Sequence, residues 1–314
     1  MARKKIIIDT DPGQDDAVAI LLALASPEDL EVLGVVAVAG NVGLEKNAKN
    51  ALKVVELSGR MDVPVYAGCA RPMARPLVTA EHVHGDTGLN GPDLPEPKLR
   101  LESQHGVDFI IQTLVNNAPG SVTLCTLGPL TNIAMALIKA PEIAERIERI
   151  VMMGGAYFEV GNITPAAEFN IYVDPEAAHV VFTSGVPITV LPLDVTHMIQ
   201  STRERLDAIR ELGNRAGGAV ADMLTFSEGF DLKKYGWAGA PLHDPCVIAW
   251  MLDPALFEGR QCNVSIEVVG ELTRGMTVAD YWQITEKPKN ALFLRSGDAE
   301  GFYALLTERL ARLP

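Results

Sequence analysis

The sequence predicts an α/β fold, a single domain over residues 1–314 with a mainly parallel, Rossmann-like central sheet flanked by helices. Three observations predict it. Short β-branched runs alternate with Ala/Leu-rich helical stretches through the first two hundred residues, which is the rhythm of βαβ units. The first strand-like run is closed by Pro12-Gly13, a turn signal. A hydrophobic content of 48% over 314 residues is ample for a core covered on both faces. The last third reads differently, as a helical lid region followed by a small antiparallel hairpin and a final helix.

In chain order, Ile6-Ile7-Ile8 has the β-branched character of a buried parallel strand. AVAILLALA, residues 17–25, is too long and too rich in Ala and Leu for a strand and is expected as helix. EVLGVVAVA (31–39), VPVYAG (63–68), SVTLCTL (121–127), IVMMGG (150–155) and ITVLPLD (188–194) supply further strands. Helices fall between them at 44–58, near 105–117, from Thr131, and around 175–184. Two long interruptions, 69–103 and 156–173, lack apolar periodicity, and loops of that length commonly bind ligands or act as lids. Helical stretches near 202–212, 216–230 and 244–252 precede a hairpin within 262–282.

Asp9, Asp11, Asp15 and Asp16 crowd into eight residues where strand one hands over to helix one. Like charges this close repel, so either some carboxyls hold protons or a bound cation compensates them. With no Cys or His in the run, the donors suit a hard ion, Ca²⁺ or Mg²⁺, better than zinc. An EF-hand is excluded, because Gln14 would stand at its obligatory glycine and Ile20 at its bidentate Glu. The carboxyl edge of an open α/β sheet is where ligands bind.

The net charge of −13, with no basic stripe, argues against nucleic acid as a partner. No export signal or apolar span long enough for a membrane helix is visible. Cys69, Cys125, Cys246 and Cys262 are scattered, as reduced thiols of a cytoplasmic protein would be.

A second polar group, Asn162, Glu168 and Asn170, lies on the loop after IVMMGG. Two amides and a carboxylate offer both donors and acceptors, the complement of a polyol such as ribose. Asp174-Pro175 reads as a helix N-cap, and Asp244-Pro245 fits the same description. His84 stands in a loop, where it has either a structural or a binding role.

Taken together, DTDPGQDDAVAILLAL, GNV, HGDTGLNGP, LGPLTNIA, VMMGGAY, GNITPAAEFNIYVDPEAA and HDPCVIAWML resemble the nucleoside hydrolases of the inosine-uridine-preferring type over nearly the whole chain. The resemblance implies calcium-dependent hydrolysis of the N-glycosidic bond of ribonucleosides such as inosine, uridine and cytidine, giving ribose and a free base. It places a single Ca²⁺ on Asp11, Asp16, Asp244 and the backbone carbonyl of Leu127. Asp11 is then also the general base for a metal-bound water. Asp15, Asn41, Asn162, Glu168 and Asn170 hold the ribose hydroxyls, Met153 lines their pocket, and Asp9 stands behind them. His84 and His243 lie beside the base, with His243 the candidate leaving-group acid. Asn90 stands where such HGxxGLxGP motifs often carry Asp. Tyr235, on a segment where pyrimidine-preferring relatives place an aromatic residue, points toward uridine or cytidine. A homodimer or homotetramer is also implied. Two rival readings are a haloacid-dehalogenase-like Mg²⁺ phosphatase, whose nucleophile strand also ends in DxD, and a non-catalytic nucleoside- or sugar-binding protein. The first lacks its later Lys and paired-Asp motif here, and the second has no use for a base beside a metal.

Overall fold

The structure is a computed structural model that describes residues 3–314, the side chains of residues 230 and 231 excepted. The isoleucine run forms the centre of an eight-stranded sheet. Strand β1 (Lys4–Thr10) lies between β2 (Leu30–Ala37) and β4 (Val122–Thr126), parallel to both. Outward from β2 comes β3 (Val65–Ala67), and outward from β4 come β5 (Ile147–Met153) and β6 (Ile188–Leu191). Side chains alternate across the sheet, so Ile6 and Ile8 enter the core on one face and Ile7 the core on the other. All three are fully buried, each contributing roughly 1.5–3 kcal/mol relative to exposure.

The chain leaves β1 toward β2 and β3, then returns to build β4, β5 and β6 on the opposite side. The direction of winding therefore reverses between β1 and β4, which opens a crevice at their carboxyl ends. Helix α1 (Gln14–Leu24) starts at that crevice and is buried on nearly every side. Such an all-round apolar helix needs cover on both flanks. It packs against the helices Arg215–Tyr235 and Pro245–Leu252 as well as the sheet.

The mainly parallel sheet, its flanking helices and the small hairpin agree with the sequence-based expectation; the hairpin pairs Val264–Ile266 with Thr277–Ala279. Two strands of the main sheet went unread, as did the short antiparallel pair Gln200–Thr202 and Gly239–Pro241. Ala291–Gly297 extends the main sheet parallel to β6, and Phe257–Cys262 closes the edge antiparallel to it. The second, FEGRQC, is exposed through its middle four residues, so it carries neither an apolar run nor an alternation. The lid helix expected at 216–230 runs on to Tyr235 and stops at Gly236, whose φ of 68° suits glycine.

Candidate active site

The floor of the crevice is acidic and buried. Asp9, Asp11, Asp16 and Asp244 are each at most 3% exposed. Asp16 is fixed from several sides: its Oδ1 accepts from the Thr10 hydroxyl (2.5 Å), and its Oδ2 from the Gly13 N–H (2.9 Å) and the Asn41 amide (3.2 Å). The Oδ2 of Asp11 accepts from the Asn41 backbone N–H at 2.7 Å, while its Oδ1 is buried with no hydrogen-bond partner. Carboxylate oxygens of Asp15, Asp16 and Asp244 lie within 4.8 Å of one another.

Asp244 stands at the N-cap position before Pro245, yet its side chain makes no capping bond. The cap reading therefore fails there, and the carboxyl joins the acidic group. Asp174 does cap, accepting from the Ala177 N–H at 3.1 Å, and its other oxygen takes the Met73 N–H and the Thr131 hydroxyl.

Burial first, and neighbouring carboxylates second, push Asp11 and Asp244 well above the usual carboxylate range. Burial also raises Asp15 and Asp16, and lifts Asp9 to about 8 against one opposing hydrogen bond from Asn132. So many buried carboxyls cannot all ionise without compensating positive charge. The donor set is all oxygen, Asp11 Oδ1 is unpartnered, and Leu127, whose carbonyl accepts from Asn170, lines the same cavity. These residues fit a hard divalent cation.

Above the acids, the cavity is lined by Asp15, Asn41, His84, Leu127, Met153, Asn162, Glu168, Asn170, Tyr235, His243 and Asp244, while Asp11 and Asp16 lie beneath its floor. Several of these side chains are already committed. Asn170 donates to the carbonyls of Leu127 (2.6 Å) and Met153 (3.3 Å), which leaves its Oδ1 to accept. Glu168 accepts the N–H groups of Gly155, Asn170 and Ile171, capping the short helix Phe169–Val173. Asn162 accepts the Phe169 N–H, keeping its amide donors. The loop is thus preorganised by the same groups that would meet a polyol.

His197, Tyr235 and His243 add rings to the cavity lining. Tyr235 stacks on Trp237 (4.5 Å, 13°), and His197 approaches Trp237 edge-on at 4.8 Å. His243 Nδ1 bonds the Thr196 hydroxyl at 2.7 Å; burial, with His197 and His84 nearby, lowers it to about 3. It is therefore a neutral imidazole near pH 7.

Four contributors had no separate reading in the sequence. Asp194 accepts the N–H groups of Tyr157, Phe158 and Glu159 and so anchors the loop that carries Asn162. His197 lines the cavity, Trp237 backs both it and Tyr235, and Gln14 holds His84. Only Gln14 left a trace, as a polar residue in an otherwise apolar helix between a glycine and two acids.

Comparison with known proteins agrees with this architecture. The family model described as inosine-uridine preferring nucleoside hydrolase matches residues 6–304. An uncharacterized protein of Schizosaccharomyces pombe is 54% identical, covering 99% of this chain and all of the relative. The pyrimidine-specific ribonucleoside hydrolase RihA of a Shewanella species is 49% identical, over 98% of this chain and 96% of its own. Among solved structures, the purine-preferring ribonucleoside hydrolase from Gardnerella vaginalis superposes with a TM-score of 0.92 at 35% identity, covering 98% of both chains. With its acidic crevice and polar loop in place, the chain belongs to the inosine-uridine preferring nucleoside hydrolase family, hydrolases that split ribonucleosides into ribose and nucleobase.

Proposed function

We propose that this protein is a calcium-dependent ribonucleoside hydrolase in which Asp11 is the general base, acting on pyrimidine ribosides such as uridine and cytidine. The observation that carries the reading is the unpartnered, buried Oδ1 of Asp11 beside a cluster of three further carboxylates. Asp11, Asp16, Asp244 and the Leu127 carbonyl would hold the ion. Bound calcium would supply a fixed double positive charge and open positions for oxygen ligands.

Asp11 is pinned through Oδ2 by the Asn41 N–H, so Oδ1 is the atom left to take a proton from the water attacking C1′. Asp15, Asn41, Asn162, Glu168 and Asn170 hold the sugar hydroxyls, and Met153 packs below the ring. As the base departs, positive charge grows on the ribosyl group, and the surrounding carboxylates stabilise it. Direct attack by water inverts C1′.

His243, neutral near pH 7, offers the leaving base only a weak proton donor. A positioned acid contributes about 10²- to 10⁴-fold against a total of at least roughly 10⁶-fold, so water activation and stabilisation of the cationic ribosyl group must supply the rest. Asp11 therefore matters more than His243. Support for a pyrimidine comes from the Tyr235–Trp237 stack at the rim and from the 49% identity to a pyrimidine-specific relative.

The test is release of reducing sugar from uridine, cytidine, inosine and adenosine, with and without chelator. Asp11→Asn is expected to lose at least about 10²-fold in kcat. Wild-type rates in that variant would remove Asp11 from the role. Phosphate release from a phosphomonoester, with no sugar released, would favour the phosphatase reading instead.

A further inference from the structure

Gln14 is buried at the first turn of α1 and reaches the segment that carries His84. Its Nε2 donates to two backbone carbonyls, those of His84 (3.1 Å) and Asn90 (3.0 Å). Its Oε1 lies 2.6 Å from His84 Nδ1. A carbonyl can only accept, so two carbonyls fix which end of the amide is the NH₂ group. The other end must then be the oxygen. An amide oxygen also only accepts, so the Nδ1 facing it must carry the proton.

The imidazole ring packs close to Gly13, where an added Cβ would come within 2.5 Å of Nδ1 and 2.8 Å of Cε1. Burial lowers His84 to about 4, and a neutral ring carries one proton. Nε2 is then bare, and it has no hydrogen-bond partner among the described residues while the ring lines the cavity.

We propose that Gln14 is a positioning residue that locks His84 in the Nδ1–H tautomer, so that His84 presents a lone pair to the ligand and recognises a donor hydrogen on it. This rests on the nucleosidase reading only for the identity of the ligand. It also divides the two cavity histidines by role. His84 accepts and cannot protonate the leaving base, which leaves His243 as the imidazole able to donate.

Two donors on uridine could meet the lone pair, the ring N3–H and the 5′-hydroxyl. Uridine, 3-methyluridine and 5′-deoxyuridine separate them.

The first measurement is ¹⁵N NMR of histidine-labelled protein near neutral pH, with His84 assigned by the signal lost in His84→Gln. The expected result is a protonated Nδ1 and a bare Nε2, and the reverse pattern overturns the proposal. In Gln14→Leu the majority tautomer should move to Nε2–H. In Gln14→Glu the two bonds to the carbonyls are lost, but a carboxylate still only accepts, so Nδ1 should keep its proton. A staple that merely tied the loop would leave the His84 tautomer the same in both variants, and that outcome also overturns the proposal.

The second measurement is hydrolysis. Gln14→Leu should raise KM for uridine about 3- to 10-fold, with a smaller change in kcat, as for loss of one neutral hydrogen bond. That penalty should vanish on whichever analogue lacks the donor His84 accepts. A penalty equal on all three substrates refutes recognition by His84. If wild-type protein hydrolyses none of them, the assignment of pyrimidine ribosides as substrates fails while the NMR result stands by itself.

Discussion

Alanine in place of Gly128 should damage catalysis without touching any charge. A Cβ at this position would sit 2.2 Å from Asp11 Oδ1 and 2.8 Å from its Cγ. Carbon and oxygen pack comfortably at roughly 3.3 Å, so the carboxylate has to retreat by about 1 Å. It has nowhere to go, because its Oδ2 is held by the Asn41 N–H and faces Gly40, whose own Cβ position is only 2.0 Å away. The backbone at 128 does not have the positive φ that would itself forbid alanine, so the effect is one of contact. A misplacement of this size near reacting groups costs on the order of 10²-fold in rate. The assay is kcat and KM for uridine at saturating calcium, with a thermal melt to confirm folding. Gly218→Ala, in the helix Arg215–Tyr235 where an added Cβ meets nothing within 4 Å, is the control. It should keep full activity and gain up to about 1 kcal/mol of stability. A folded Gly128→Ala protein whose kcat/KM stays within about twofold of wild type, well short of that loss, would show that Asp11 is not confined as argued.

Chelation should make stability depend on pH with a definite sign. Burial raises Asp11, Asp15, Asp16 and Asp244 above the ordinary value of 3.8 and Asp9 to about 8. Through these carboxyls the folded state binds more protons than the unfolded chain, so their contribution is fullest below about pH 4 and is lost as pH rises through the folded values, toward about 8 for Asp9, while His84 and His243, lowered by burial, act in the opposite sense below their ordinary value of 6.5. Above the histidines' ordinary value, the Tm of chelated protein is expected to fall from about pH 7 to about pH 8, and calcium to restore most at the upper end; a Tm that rises over that range in chelator contradicts this. Asp194→Ala strips three backbone N–H groups of their acceptor and should cost about 1–3 kcal/mol. Because the freed loop carries Asn162, KM for uridine should rise more than kcat falls, and an unchanged KM would detach that loop from the sugar.

Much of the fold was legible because local chemistry decided it. The Ile6–Ile8 run, the Pro12-Gly13 stop and the apolar α1 each point to one local structure, and together they set strand, turn and helix in order. The crowding of Asp9, Asp11, Asp15 and Asp16 was equally plain, since repulsion between neighbours in sequence needs no fold to be noticed. The edge strand Phe257–Cys262 was not legible, because its middle faces solvent and carries no apolar code.

Distance along the chain hid the rest. Asp244 sits more than two hundred residues from Asp16, and nothing near Asp244-Pro245 distinguishes a cap from a member of the acidic group until the chain is folded. The same holds for Gln14 and His84, seventy residues apart, whose hydrogen bond gives each its meaning. What the sequence by itself determined was the local conformation and an inventory of chemistry, because these depend on neighbours along the backbone. Tertiary structure alone decided which groups share the crevice, which are spent on backbone partners, and how far burial moves their protons. Those properties depend on neighbours in space and on the exclusion of water.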